Sequence, residues 1–191
     1  MRCLACHRLS WSTFCQSCQQ TLLKPNITKR TINRLEVYSF FKYQNIENLL
    51  LTKHTKQGFI IYRALSKLSF RLFIKNFMQN SIDKIYILGI DESVKNGYSH
   101  VALLTHEMRY KNVKVLHSKL MAKNHIKYAG KSLQFRLENP REFYYRGEKD
   151  IEVILVDDII TTGTTINEAK RVLEKNSVKT LFALTLADVK V

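Results

Sequence analysis

Carboxylates are the scarce charge in this chain: 16 Asp and Glu stand against 31 Lys and Arg in 191 residues, a formal excess of +15. Proline and glycine are scarce too, at 2 and 6, while hydrophobic residues make up 45% and charged ones 25%. That balance excludes a Pro/Gly-rich low-complexity chain and argues against disorder throughout. No cysteine follows Cys18, so whatever the cysteines do is confined to the N-terminus. Long apolar runs are missing as well. The chain opens Met1-Arg2-Cys3 without an apolar stretch of signal-peptide length. Its most apolar stretch, Phe59 to Met78, is interrupted by Arg63, Lys67, Arg71 and Lys75, which does not suit a membrane span. The expected location is cytoplasmic, with peripheral association at a membrane surface left open.

The positive excess is uneven. Residues 148–191 carry 8 acidic and 6 basic side chains, which leaves +17 of charge before Glu148. A basic body joined to a near-neutral C-terminal unit points to a polyanionic partner, nucleic acid or an anionic membrane surface. A soluble protein from a Lys-rich proteome is the plainer reading.

All 4 cysteines fall in two pairs, Cys3-x-x-Cys6 and Cys15-x-x-Cys18. Thiolates two residues apart can face one tetrahedral ion, and two such knuckles close an all-thiolate site with no open position. Structural Zn²⁺ is therefore expected on Cys3, Cys6, Cys15 and Cys18. Disulfides are the competing reading, disfavoured in a cytoplasmic chain. So short a segment buries too little to fold without a metal.

The expected organisation is a zinc ribbon over 1–24, a basic strand-and-helix segment over 25–80 packed on the core, and an α/β domain over 81–191. Strand-like residues run from Glu36 to Tyr43. Helices are expected over Ile46 to Lys53 and Phe59 to Met78, the latter with a basic ridge of Arg63, Lys67, Arg71 and Lys75 at four-residue spacing. Further strands are expected at Lys84–Asp91, Asn112–His117, Ile151–Val156 and Lys179–Leu186, with helices at Tyr98–Met108 and Thr164–Lys175. Alternating strands and helices imply a parallel sheet covered on both faces, with a ligand outside the carboxyl ends of its strands. Ser118 to Gly147 lacks periodicity and reads as a long loop over the site.

The stretch from Val153 to Thr165 carries the chemistry. An apolar strand ends in Asp157 and Asp158, and the turn Thr161-Thr162-Gly163-Thr164-Thr165 opens a helix. A phosphate there would meet free backbone N–H groups, the positive end of the helix and threonine hydroxyls, with Gly163 permitting close approach. Two adjacent carboxylates need donors or a cation, which the vicinal hydroxyls of a ribose supply. The alternative is that the aspartates merely end a strand and a threonine caps a helix.

These thirteen residues resemble the phosphoribosyl pyrophosphate motif of type I phosphoribosyltransferases. The order of four-cysteine ribbon, basic helices, central strand and C-terminal loop resembles the ComF family of late competence proteins, of the ComFC type, over essentially the whole chain. Asn96-Gly97-Tyr98-Ser99-His100 stands where that family tends to show Arg-Gly-Phe-Asn-Gln. Gln134-Phe135-Arg136 with Glu138-Asn139-Pro140 stands where it has a basic, Asn-containing loop. The resemblance implies a phosphoribosyltransferase-like α/β fold in which Asp157 and Asp158 hold ribose hydroxyls and Thr161, Thr162, Gly163, Thr164 and Thr165 hold the 5-phosphate. Mg²⁺ would accompany the diphosphate. The chain departs from the family at Gly89-Ile90-Asp91, where prolines are usual, and at Asn96. Asp91-Glu92 in that turn should repel a diphosphate unless a cation bridges them.

Two functions are therefore expected. One is a DNA-uptake protein of natural transformation that binds phosphoribosyl pyrophosphate and single-stranded DNA, with a competence helicase or ATPase as a further partner. From Met108 to Leu137 there are eight basic residues, no acid, and interspersed aromatics. Cations there would track phosphates while rings stack on bases, and Lys119, Lys123, Lys127, Lys131 and Arg136 are the candidates. The other is an active phosphoribosyltransferase of nucleotide metabolism, for which no nucleobase pocket is legible.

Overall fold

A computed structural model describes residues 1–124 and 132–190. Their strands are β1 (Thr28–Ile32), β2 (Leu35–Lys42), β3 (Ile85–Gly89), β4 (Val113–Leu116), β5 (Leu120–Ala122), β6 (Phe143–Tyr145), β7 (Ile151–Ile160) and β8 (Val178–Asp188). Their helices are α1 (Gln16–Gln20), α2 (Tyr43–Leu50), α3 (Lys56–Leu68), α4 (Phe70–Phe77), α5 (His100–His106), α6 (Leu133–Glu138) and α7 (Thr164–Glu174). The main sheet has the order β1-β2-β8-β7-β3-β4. All its pairings are parallel except the β1–β2 hairpin. This is the α/β architecture expected, a mostly parallel sheet flanked by helices.

Both faces are covered, which explains why the central strands are apolar without interruption. Successive residues of a strand point to opposite faces. Ile154 and Val156 of β7 join Ile87, Leu184 and Leu186 under the helical layer that includes Tyr62, Leu65, Phe70 and Leu104. Val153 and Leu155 join Leu88 and Ala183 on the other face, beneath Ile166, Ala169 and Leu173 of α7. Phe14 and Leu23, from the cysteine-rich N-terminus, are buried in the first cluster with Phe40 and Phe70. Phe40 and Phe70 meet edge to face at 4.7 Å, a geometry aromatic rings favour.

Three expectations need correction. The helix over Phe59–Met78 is two helices, α3 and α4, separated at Ser69 (φ −119°, ψ −79°). The Ser69 hydroxyl donates to the Leu65 carbonyl at 2.7 Å, a local side-chain bond that competes with a regular helix. The basic ridge is consequently split between two helices, and Arg63 and Arg71 converge on the largely buried carboxylate of Glu107 at 3.6 and 3.7 Å. Half of the ridge therefore neutralises one acid of the chain itself.

The second correction concerns Ser118–Gly147, which is not one long loop. It holds the antiparallel β5–β6 pair and the short helix α6, capped by the Ser132 hydroxyl accepting from the Phe135 N–H at 3.2 Å. Lys119 and Lys123 flank β5 and are exposed, and Arg136 falls on α6. Lys127 and Lys131 lie outside the described residues. Third, β7 does not stop at Val156. It continues to Ile160 because β8 runs on beside it, pairing Asp157 with Thr185 and Ile160 with Asp188. No helix among the described residues is long and apolar enough to cross a membrane.

Candidate functional site

Asp157 and Asp158 sit within the paired end of β7, so their side chains leave opposite faces of the sheet. The Asp158 carboxylate is buried and committed. Its Oδ2 receives Lys53 Nζ at 3.0 Å and His100 Nε2 at 3.2 Å, and its Oδ1 accepts the Ile159 N–H at 2.8 Å. Burial pushes its pKa up, but Lys53 and His100 outweigh that and hold it well below the usual carboxylate range. Asp157 is half-buried and accepts the Asp158 N–H at 2.8 Å. Burial, and then the charge of Asp158, raise its pKa well above the ordinary value. Opposite shifts are what two neighbouring carboxylates require, since ionising one disfavours ionising the other.

Lys53 and His100 were not read from the sequence as site residues. Lys53 lies beyond α2 in the basic N-terminal half, and a lone lysine in a Lys-rich chain carries no local signal. Its segment is tightly held. The Tyr98 hydroxyl donates to the Lys53 carbonyl at 2.5 Å and the Thr55 carbonyl at 3.0 Å, and Asn96 Nδ2 donates to the His54 carbonyl at 2.5 Å. A side chain at Gly58 would collide with the Thr52 carbonyl, its Cβ falling 2.0 Å from that oxygen. The Asn96–His100 stretch thus has a structural consequence: it secures the strap that brings Lys53 to Asp158. His100 is also packed by the rings of Tyr62 and His54, each centroid 5.7 Å away. Burial, then the nearby Lys53, lower the pKa of His54.

The turn after β7 leads into α7 with Gly163 as its N-cap at φ 81°. The helix's hydrogen bonding begins with the Asn167 N–H donating to the Gly163 carbonyl at 2.9 Å. The amides before Asn167 belong to the first turn of a helix, where no intrahelical acceptor exists. The hydroxyls of Thr162 and Thr164 lie 2.9 Å apart. Asp157 and residues 159–166 line one shallow recess. A larger hollow of about 450 Å³ lies elsewhere, between the end of the cysteine-rich segment and β2, and includes Lys24, Phe40 and Lys42. Gly163 is required by the fold itself. A Cβ there would stand 2.9 Å from carbons of Ile32, so the crowding comes from β1, and the positive φ already disfavours other residues.

Asp91 and Glu92, expected to oppose a diphosphate, are both occupied. Glu92 is buried and accepts from the Thr105 hydroxyl at 2.8 Å and the Ser118 N–H at 2.8 Å, with His117 Nδ1 at 3.1 Å. Asp91 has Arg141 Nη1 at 3.4 Å. Arg141 therefore offsets the charge of Asp91, while Glu92 is held by Thr105, His117 and Ser118.

The sulfur atoms of Cys3, Cys6, Cys15 and Cys18 all lie within 4.8 Å of one another, close enough to hold a metal ion together. None forms a disulfide. Cys3 Sγ accepts the Cys15 N–H at 3.2 Å and the Ala5 N–H at 3.5 Å. Although burial opposes it, these bonds bring the Cys3 thiol down to about 6, while burial and the neighbouring thiols raise that of Cys18. A thiol readily deprotonated among crowded sulfurs suits metal ligation.

The phosphoribosyl transferase domain family matches residues 100–190, which contain the carboxylate pair, the turn and α7. Among solved structures, a hypoxanthine phosphoribosyltransferase from Staphylococcus aureus is similar at 16% identity and TM-score 0.39, over 66% of this chain and 62% of that one. The adenine phosphoribosyltransferase of Saccharomyces cerevisiae is similar at 13% identity and TM-score 0.44, over 90% and 88%. An orotate phosphoribosyltransferase from Aeropyrum pernix is similar at 15% identity and TM-score 0.39, over 91% and 81%. The comparison with curated proteins gives no match.

The ion pairs on Asp158 set a pH dependence. Its depressed pKa means the stabilisation is complete above the unfolded carboxylate value of about 3.9 and is lost as pH falls through the lower folded value. Lys53, whose pKa Asp158 raises, holds its share until pH rises through that elevated value. Lys53→Met should cost about 2 kcal/mol at neutral pH, less than the roughly 3–5 of a fully buried pair because the lysine side chain remains 31% exposed. Urea unfolding of both proteins from pH 7 to pH 2 checks this. The difference should shrink towards the acid end, and a pH-independent difference would contradict the assignment.

Proposed function

We propose that this chain binds phosphoribosyl pyrophosphate and single-stranded DNA and serves DNA uptake in natural transformation. The observation carrying the ligand reading is one continuous stretch inside the matched residues 100–190: the Asp157–Asp158 pair, the Thr161–Thr165 turn and the first turn of α7. The turn supplies amide N–H groups and hydroxyls to the 5-phosphate, where the helix dipole favours an anion. The aspartates supply acceptors to the ribose hydroxyls. Asp157 is the better placed, because Asp158 already satisfies Lys53 and His100. Mg²⁺, entering with the diphosphate, would neutralise charge that the protein's cations do not meet, with Asp157 as the carboxylate available to it.

The DNA reading is supported by the surface around β5 and β6. Lys119 and Lys123 are exposed beside β5, and the Arg146 guanidinium lies 4.9 Å from the centroid of the Tyr144 ring on β6. Cations beside aromatic rings are the equipment of sequence-tolerant single-strand binding. Together with the ComF resemblance and the +17 before Glu148, this favours a polyanion over a small-molecule acceptor. A competence helicase or ATPase, and peripheral contact with a membrane, belong to the same reading. Transferase turnover is the alternative, and pyrophosphate release with free nucleobases would decide for it. We assign Zn²⁺, in a structural role, to Cys3, Cys6, Cys15 and Cys18.

Calorimetry tests the ligand site. Asp157→Asn combined with Asp158→Asn should abolish phosphoribosyl pyrophosphate binding in a folded protein, and unchanged affinity would show the loop to be misassigned. Elemental analysis of protein purified under reducing conditions should find one zinc per chain, and chelation should lower the melting temperature. Metal-free protein with an unchanged melting temperature would contradict this.

Fluorescence anisotropy with a labelled oligonucleotide tests DNA binding. If about five phosphates are neutralised, log affinity should fall against log salt with a slope of about −3.5, at roughly −0.7 per contact. Charge reversal at Lys119, Lys123, Lys127 and Lys131 should flatten that slope, whereas Asp157→Asn should not. Absence of binding at low salt would remove DNA from the proposal.

A further inference from the structure

The phosphate turn leans on a strand outside the matched residues 100–190. Arg30, on β1, donates from Nη1 to Asp188 Oδ1 at 2.8 Å and from Nη2 to the Thr161 carbonyl at 2.8 Å. Asp188 is buried at the end of β8, and the same oxygen accepts the Lys190 N–H at 2.8 Å. In the sheet, β2 and β8 lie between β1 and β7. The reach is therefore made by the long planar guanidinium, whose fork can satisfy a carboxylate and a carbonyl at once.

Holding that carbonyl has a geometric consequence. The peptide between Thr161 and Thr162 is planar and trans, so fixing the Thr161 C=O towards Arg30 fixes the Thr162 N–H on the opposite side. Ile32 stands two residues from Arg30 on the same strand face. It packs against the open side of Gly163, three of its carbons lying 2.9 to 3.0 Å from where a Cβ would be. One strand thus grips the turn at its first and third residues. Each terminal nitrogen of Arg30 is committed to one of these bonds and its side chain is only 18% exposed, which suits it to holding the turn.

We infer that Arg30 is a positioning residue for the phosphate turn, and that the N-terminal hairpin completes the sugar-phosphate site. The inference rests on the reading that Thr161–Thr165 receive the 5-phosphate. It gives the hairpin a part in ligand affinity that its place at the sheet edge does not suggest. Preorganised amides bind an anion more tightly than amides that must be ordered on binding.

The test uses the full chain with zinc and three probes: ribose 5-phosphate, phosphoribosyl pyrophosphate and magnesium pyrophosphate. Arg30→Met should weaken both sugar phosphates about tenfold or more, by similar factors, while pyrophosphate binding stays within about twofold. Arg30→Lys, which keeps the charge but lacks the fork, should recover part of the loss. A parallel drop for all three probes would mean general loosening of the fold and would overturn the inference. So would unchanged sugar-phosphate affinity in folded Arg30→Met. If Arg30→Met does not fold, Arg30→Lys decides, and wild-type affinity in it overturns the inference. Failure of the underlying reading shows differently: wild-type protein would then bind neither ribose 5-phosphate nor phosphoribosyl pyrophosphate.

Discussion

Strand β8 is hydrogen-bonded on both edges, to β2 from the first quarter of the chain and to β7 from the last. That double pairing is the constraint on which the rest depends. It is parallel on both sides, so the carboxyl ends of β2, β7 and β8 come out together. Strand β2 leads into α2 and the Lys53 strap, and β7 leads into the Thr161–Thr165 turn. Lys53 meets Asp158 across 105 residues of sequence because these two exits share one rim. The same arrangement prolongs β7 past Val156. With Asp188 opposite Ile160, the acidic pair remains in the ladder and the turn begins only at Thr161.

The site that results is charged in layers. Asp158 is sealed between Lys53 and His100 and acts mainly on its neighbours: it makes Asp157 harder to ionise and anchors the strap. The half-buried Asp157 faces the recess with the turn. Glu92 is likewise turned inward, bonded to Thr105 and Ser118, and Asp91 is met by Arg141. A chain so poor in acids thus uses several of its carboxylates internally, each against a cation or a hydrogen-bond donor, as burial of charge demands. The basic excess is left on the outside, at residues such as Lys119 and Lys123.

The N-terminal segments are structurally continuous with this core. Phe14 and Leu23 share a hydrophobic cluster with Phe40 and Phe70, and β1 presents Arg30 and Ile32 to the turn. Events at the cysteine cluster are therefore a few side-chain contacts away from the sheet that carries the Thr161–Thr165 turn.

The sequence by itself determined the local features: an apolar strand closing on two aspartates, a threonine-rich turn with a glycine, and cysteines at ligand spacing. Each is encoded within a few residues by turn chemistry, helix-start geometry or ligand spacing, so no knowledge of distant contacts is needed. The parallel sheet was legible for a related reason, since strands buried on both faces must be apolar throughout. Only the tertiary structure brings Lys53 and His100 to Asp158, and Arg30 and Ile32 to the Thr161–Thr165 turn. A lysine, a histidine or an isoleucine has no local signature, and its role comes from strand pairings that bring Arg30 to Thr161 across 131 residues. It also decided that Arg63 and Arg71 answer Glu107. Spacing along one helix can align charges on a face, but it cannot say which acid packs against them.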